Sequence, residues 1–200
     1  MSHFNGVKTN NAKINAKEKL RYFSNIKDLS VLDIFCGSGE MYNKCWKNAK
    51  KYEGIDIKKY IEQDERILHI GDAPSVLKQM KDINKFDIFD VDAYGSPYEC
   101  LYIISNKITI KQEKHFIITD GIEIDLRMGK VEQFFGLLTN IKSKKINNIH
   151  IIHDILIKKV IENLCKKLNC QCKDFSIAKG LTGSGMRYYR FTLFKNVAEL

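Results

Sequence analysis

The 200-residue chain is 44% apolar and 28% charged, with twelve glycines and two prolines, a balance that excludes wholesale disorder and a fibrous or linker-rich design. At this length a chain buries roughly 70% of its unfolded surface, so one core forms without staples. No apolar run approaches the roughly 18 residues of a membrane span, the start at Met1–Asn5 shows no secretion signal, and six cysteines without a Cys-x-x-Cys pair read as reduced thiols of a cytoplasmic protein.

Residues 1–11 read as loose and polar. Residues 12–26 place Ile14, Ala16, Leu20, Phe23 and Ile26 at helical spacing with a basic outer face, so 1–29 is expected to form a basic helical segment ahead of a domain spanning 30–200. Strands and helices then alternate. Strands are expected at 31–35, 52–57, 67–70, 86–91 and 115–119. Helices are expected at 41–49, from Pro74 onward, and at 97–107, 131–140 and 152–168. Segments 172–178 and 186–194 flank a glycine-rich turn and read as a hairpin. The order implies an α/β fold: a Rossmann-like, seven-stranded, mostly parallel sheet with helices on both faces and a C-terminal antiparallel hairpin.

Ligands in such sheets bind beyond the carboxyl ends of the strands. The acids and glycines of this chain cluster there. Asp33-x-Phe35-Cys36-Gly37-x-Gly39 follows the first strand and opens a helix. The glycines permit a tight turn and close backbone approach. Glu40 follows, and its carboxylate would repel a pyrophosphate at the helix end, so the loop suits a nucleoside ligand without phosphates: S-adenosylmethionine. Asp33 lies where the methionine ammonium is expected. Asp56 ends the second strand about twenty residues past the loop, the distance of a ribose-binding carboxylate, with Ile57 beside it. Asp72 can accept from the adenine amino group and the Ala73 N–H can donate to the ring. The structural alternative is a mere tight turn at Gly37 and Gly39 and a helix cap at Asp72.

The fourth strand ends in Asp90-Val91-Asp92-Ala93-Tyr94-Gly95-Ser96-Pro97. This stretch resembles the Asp-x-Asp-Pro-Phe-Gly-Ser-Pro signature of the tRNA guanine-N2 dimethyltransferases. His69-x-Gly71-Asp72-Ala73-x-x-x-Leu77 and Thr119-Asp120 are similar to further motifs of that family, so the close likeness covers about residues 66–121. Ala93 stands where the family has proline and Tyr94 where it has phenylalanine. The first motif looks more like that of DNA and rRNA methyltransferases, and the family's C-terminal RNA-binding extension has no counterpart here. The resemblance implies a class I methyltransferase acting on guanine N2 in RNA, with tRNA processing as its setting, Asp90 in the cofactor site, and Asp92, Ala93 and Tyr94 as catalytic residues.

The residue types fit that chemistry. A base's exocyclic amine is a poor nucleophile because its lone pair is delocalised. The Asp92 carboxylate and the Ala93 carbonyl can accept its two N–H groups, and Tyr94 can stack on the ring. The alternatives are a surface turn at 92–95, a DNA amino-methyltransferase whose Asp-Pro-Pro-Tyr loop also resembles Asp92-Ala93-Tyr94, and a binding module that keeps the fold without catalysis.

Charge is supporting evidence. The excess of Lys and Arg, +9 in all, favours a nucleic-acid partner, RNA ahead of DNA, and no membrane, although a Lys- and Asn-rich composition inflates it. Arg187-Tyr188-Tyr189-Arg190 reads equally as a grip on single-stranded nucleic acid or as an alternating hairpin strand. His150-x-x-His153 lacks a third ligand and Cys165-x4-Cys170-x-Cys172 lacks zinc spacing, so no metal is expected.

Overall fold

The computed structural model describes residues 20–60, 65–180 and 185–195. The expectations for residues 1–19 and for the glycine turn at 183–184 lie outside the described residues.

Seven strands form one sheet: β1 (Ser30–Ile34), β2 (Lys51–Asp56), β3 (Ile67–Ile70), β4 (Ile88–Asp92), β5 (Lys114–Asp120), β6 (Gln171–Lys179) and β7 (Arg187–Phe194). Their spatial order is β3-β2-β1-β4-β5-β7-β6. β1 to β5 pair in parallel, and β7 runs antiparallel to both β5 and β6. The order reverses between β1 and β4, the switch point at which sheets of this kind open a ligand crevice. The central strands are buried on both faces, which is why β1 reads as a run of apolar residues broken only by Asp33. The edges, β3 and β6, are half exposed, and β6 carries a bulge between Lys173 and Ser176 that twists it away from further pairing.

One face of the sheet presents Leu32, Ile34, Phe89, Val91, Phe116, Ile118, Tyr189 and Phe191 to the larger core. Among the described residues the regular helices are α1 (Ala73–Gln79), α2 (Tyr98–Lys107), a short α3 (Glu123–Arg127), α4 (Gln133–Thr139) and α5 (His153–Leu168). The opposite face presents Val31, Tyr52, Ile88, Ile117 and Tyr188, covered by Leu20 and Trp46 with Phe23 and Ile26 packed alongside. No described helix is long and apolar enough to cross a membrane.

Two expected elements differ, and a third element was not expected. The helix expected over 12–26 does not continue past Leu20: residues 21–25 are turn and irregular backbone, followed by a 3₁₀ turn at Ile26–Asp28. Tertiary bonds override the periodicity there, because Arg21 turns inward to an ion pair and Arg190 donates to the carbonyls of Leu20 and Tyr22 (3.4 and 3.2 Å). The helix expected over 41–49 closes as a π-helical turn, Tyr42–Trp46, which seats Trp46 against the sheet. α3 follows β5 directly and carries too few apolar residues to reveal itself by period.

Candidate functional site

The turn after β1 bends sharply. Phe35 takes φ 68°, an unfavourable conformation for an aromatic residue, and Gly37 and Gly39 follow at φ 54° and 90°. The turn is tied to β2: the Phe35 and Cys36 N–H groups both donate to the Ile55 carbonyl (2.8 and 3.1 Å), and the Gly37 N–H donates to Asp56 Oδ2 at 2.8 Å. The other Asp56 oxygen accepts the Lys58 N–H at 3.3 Å. Each oxygen keeps a second lone pair, so Asp56 can fix the loop and still receive hydroxyl groups. A side chain at Gly39 would be strained by its φ of 90° and would displace the Arg66 guanidinium, which donates to the Gly37 carbonyl at 3.2 Å.

Beside this loop, three carboxylates converge on one face of the sheet. Asp33 and Asp90 are register partners on β1 and β4, and Asp92 ends β4 opposite Thr119 of β5. Arg21 enters between them. Its Nε and Nη2 donate to the two Asp90 oxygens at 2.6 and 2.7 Å, and Nη2 lies 3.5 Å from Asp92. Trp46 Nε1 adds a third donor to Asp90 at 3.1 Å. Burial alone would push the Asp90 carboxyl up, but this two-point geometry is that of an ionised pair, and the surrounding carboxylates hold the Arg21 guanidinium charged. Asp33 is the acid that carries the burden. Burial and the neighbouring Asp90 charge raise it well above the usual carboxylate range, while the Tyr52 hydroxyl donates to it at 2.8 Å. Cys36, buried beside Asp33, is pushed up to about 12, an inert thiol.

The loop after β4 splits into a hidden and an open part. Ala93 is 2% exposed, whereas Tyr94 is 66% exposed. The loop rests on the residue after β5: the Gly121 N–H donates to the Gly95 carbonyl at 2.9 Å, and the Tyr94 carbonyl occupies the place a Gly121 side chain would need. Its far end is held by Ser96, whose hydroxyl reaches Glu132 (3.4 Å), the residue that caps α4. Beneath it lies a closed polar network. Tyr98 and His153 Nε2 both bond Asp120 Oδ2 (2.5 and 2.9 Å), while His153 Nδ1 meets Glu123 at 3.1 Å. Arg187 joins Glu123 to Asp154.

The fold thus brings together Asp33, Phe35, Cys36, Gly37, Gly39, Asp56 and Asp90 around the β1 turn, and Asp92, Ala93 and Tyr94 next to it. Three expected residues lie at the margin of this cluster. Ile57 lies just beyond β2 and is 71% exposed. Asp72 caps α1, accepting the Ser75 N–H and hydroxyl (3.1 and 2.8 Å), with Ala73 buried behind it. The reading of Arg187 to Arg190 as a nucleic-acid grip is corrected: Tyr188 and Tyr189 are buried, Arg187 is paired with acids, and Arg190 lies over the Phe23 ring at 4.3 Å. Alternation along β7 puts these residues in the core on one face and under the 20–23 segment on the other. His153 is enclosed in the network above, and among the described residues no cluster of three His, Cys, Asp or Glu side chains is arranged to hold a metal ion. Sequence reading missed Arg21, Tyr52, Gly121 and Glu132. Only the glycine after Thr119-Asp120 carries a local signal. The other three act across 19 to 69 residues of chain or across two helices' ends.

No family model matches the sequence, and no curated protein matches it. Solved structures do. The N-methyltransferase NodS from Bradyrhizobium japonicum WM9 superposes with a TM-score of 0.55 at 12% identity, covering 90% of this chain and 96% of that one. Trm1 from Pyrococcus horikoshii, solved with S-adenosyl-L-methionine, gives 0.58 at 12% identity over 92% of this chain, which spans 55% of that protein. TYW2 from M. jannaschii, in complex with AdoMet, gives 0.53 at 11% identity, covering 90% and 74%. Strand order, the antiparallel C-terminal pair and these likenesses agree: the chain has the Rossmann-like fold of the class I S-adenosylmethionine-dependent methyltransferases.

Proposed function

We propose that this chain is an S-adenosylmethionine-dependent methyltransferase acting on the exocyclic amino group of a nucleobase, guanine N2 in RNA before other targets. The observation that carries the reading is the adjacency of two half-sites at the β1/β4 crevice: the glycine turn pinned to Asp56, and the 92–97 loop presenting an exposed Tyr94 beside Asp92. The residues present fit the cofactor. Left-handed glycines bring backbone close, Asp33 offers a carboxyl to an ammonium, and Asp56 retains acceptor capacity for ribose hydroxyls. On this reading Asp72 and Ala73 flank the adenine, with Ile57 at its rim, since the Gly71 N–H just before them donates to the Asp56 carbonyl at 2.8 Å.

When bound, the cofactor supplies a methyl group activated by a sulfonium. The chain's own residues do the rest. Tyr94 stacks on the base and fixes its plane, an interaction of roughly 1–3 kcal/mol in single-strand binders. Asp92 and the Ala93 carbonyl accept the two amine N–H groups, which turns the nitrogen lone pair out of conjugation and aims it along one line. Arg21 holds Asp90 and Asp92 in place from behind. The net charge of +9 supports a polyanionic substrate.

The test is transfer of labelled methyl from S-adenosylmethionine to bulk RNA and DNA, followed by nucleoside analysis. N2-methylguanosine from RNA supports the reading. N6-methyladenine from DNA replaces it with the amino-methyltransferase of the second kind. A protein that binds the cofactor yet labels neither polymer is a binding module.

A further inference from the structure

A second cluster of reactive side chains sits at the opposite end of the sheet from the β1/β4 crevice. α5 ends there in a left-handed residue, Asn169 (φ 48°, ψ 60°). The Cys170 N–H donates to the Cys165 carbonyl at 3.0 Å and the Asn169 N–H to the Lys166 carbonyl at 3.4 Å. This bond pair is the Schellman motif, which brings the side chains of its first and last residues into contact. An apolar pair ordinarily fills that contact, but here both residues are cysteines. Cys172, at the start of β6 and opposite Leu193, supplies a third thiol. All three are half-buried and line an open cavity of about 460 Å³ with Ile161, Glu162 and Lys166.

The thiols are ordered as well as close. Cys172 donates to the Lys173 carbonyl at 3.6 Å, which leaves Cys165 and Cys170 facing each other across the motif. The neighbouring Cys165 thiol lowers that of Cys170, and the same contact pushes Cys165 up to about 11. Cys36 and Cys100, by contrast, are each pushed up to about 12, chiefly by burial. Cys170 is therefore the nucleophile of the cluster, and Cys165 stands next to it as the resolving thiol.

We propose that Cys165 and Cys170 form a thiol–disulfide site that reacts with hydroperoxides. The Cys170 thiolate attacks the peroxide, forming an S–O bond and breaking the O–O bond; the released oxygen leaves as water. Cys165 sulfur then attacks the resulting sulfenic acid, the S–S bond forms, and the S–O oxygen departs with the Cys165 proton as a second water. Two thiols give up two electrons, and hydrogen peroxide is reduced to two waters. The step uses nothing from the β1/β4 site and stands apart from the methyltransferase reading.

The test uses the full chain, reduced, freed of reductant and treated with a small molar excess of hydrogen peroxide. Remaining thiols are then alkylated and the protein is digested with trypsin. Cleavage after Lys166 and Lys167 separates Cys165, on peptide 160–166, from Cys170 and Cys172, on peptide 168–173. The expected result is a loss of two hydrogens from the intact mass and a cross-link between those peptides, with Cys172 alkylated. The link persists in Cys172→Ser and is lost in Cys170→Ser, with unchanged circular dichroism and melting temperature of the reduced proteins confirming that both fold. Absence of the link in the wild-type chain, its survival in Cys170→Ser, or oxidation to sulfinic acid without cross-linking overturns the proposal.

Discussion

Arg21 and Asp90 lie 69 residues apart in sequence, yet their side chains meet in a two-point ion pair at 2.6 and 2.7 Å, both fully buried. The pair fastens the segment ahead of β1 onto the carboxyl end of β4, directly behind Asp92. Its removal on one side strands a buried charge. Arg21→Met is expected to destabilise the fold by about 3–5 kcal/mol, read as a fall in denaturation midpoint, because Asp90 then lacks its cation. The double variant Arg21→Met/Asp90→Asn recovers a large part of that loss. Equal stability of the single and double variants would contradict a pair that matters mainly as a pair.

On the proposed reading, Asp92 acts on substrate rather than on cofactor. Asp92→Ala is expected to abolish methyl transfer while leaving the affinity for S-adenosylmethionine within a few-fold of wild type, measured by labelled transfer and by calorimetry. Full transfer in this variant removes the assignment.

If Asp33 receives the methionine ammonium, as proposed, cofactor binding is proton-linked. Burial and the Asp90 charge raise its pKa above the ordinary 3.8, and the arrival of a methionine ammonium lowers it again. Binding therefore expels a proton, and affinity rises with pH from the bound to the free pKa of this group. Calorimetry in buffers of different ionisation enthalpy should show an apparent binding enthalpy that varies with the buffer, and Asp33→Asn should remove the variation. A wild-type enthalpy independent of buffer would refute it.

His153 gives stability a pH dependence of the opposite sense. Burial disfavours its charge, but the hydrogen bond and charge of Asp120, followed by Glu123, outweigh this and raise its pKa above 6.5. A raised histidine pKa means that its contribution is complete below 6.5 and is lost as pH climbs through the folded value. The stability difference between wild type and His153→Gln should shrink steadily above pH 6.5. A difference that grows over that range would show that the imidazole is buried neutral.

Enlarging Gly121 probes the substrate loop from beneath. A Cβ there meets the Tyr94 carbonyl, so Gly121→Ala must push the 94–95 backbone outward. Methyl transfer should fall by about tenfold or more, as misplacement near 1 Å does elsewhere, with cofactor affinity kept. Transfer at the wild-type rate would mean that the loop yields without consequence.

The order of strands and the positions of Asp33, Gly37, Asp56, Asp92 and Tyr94 are legible in the chain because they depend on short-range pattern: apolar runs of strand length, followed at once by turn glycines and acids. Each of those residues lies within a few positions of the strand that carries it. Segment ends shifted where a distant partner outbid local preference, as at residues 21–25 and in the π-helical turn at Tyr42–Trp46.

What sequence alone determined is therefore which groups stand at the tips of the strands. What only the tertiary structure decided is their electrical and steric state. Arg21 looked like one more solvated cation of a basic helix, and Arg187 and Arg190 like a surface grip on a polyanion. Folding buried Arg21 and Arg187 beside the buried acids Asp90 and Glu123, which need cations in the core, and half-buried Arg190 over the Phe23 ring. Charge pairing in a low-dielectric interior is a property of positions far apart in the chain, and no local pattern records it.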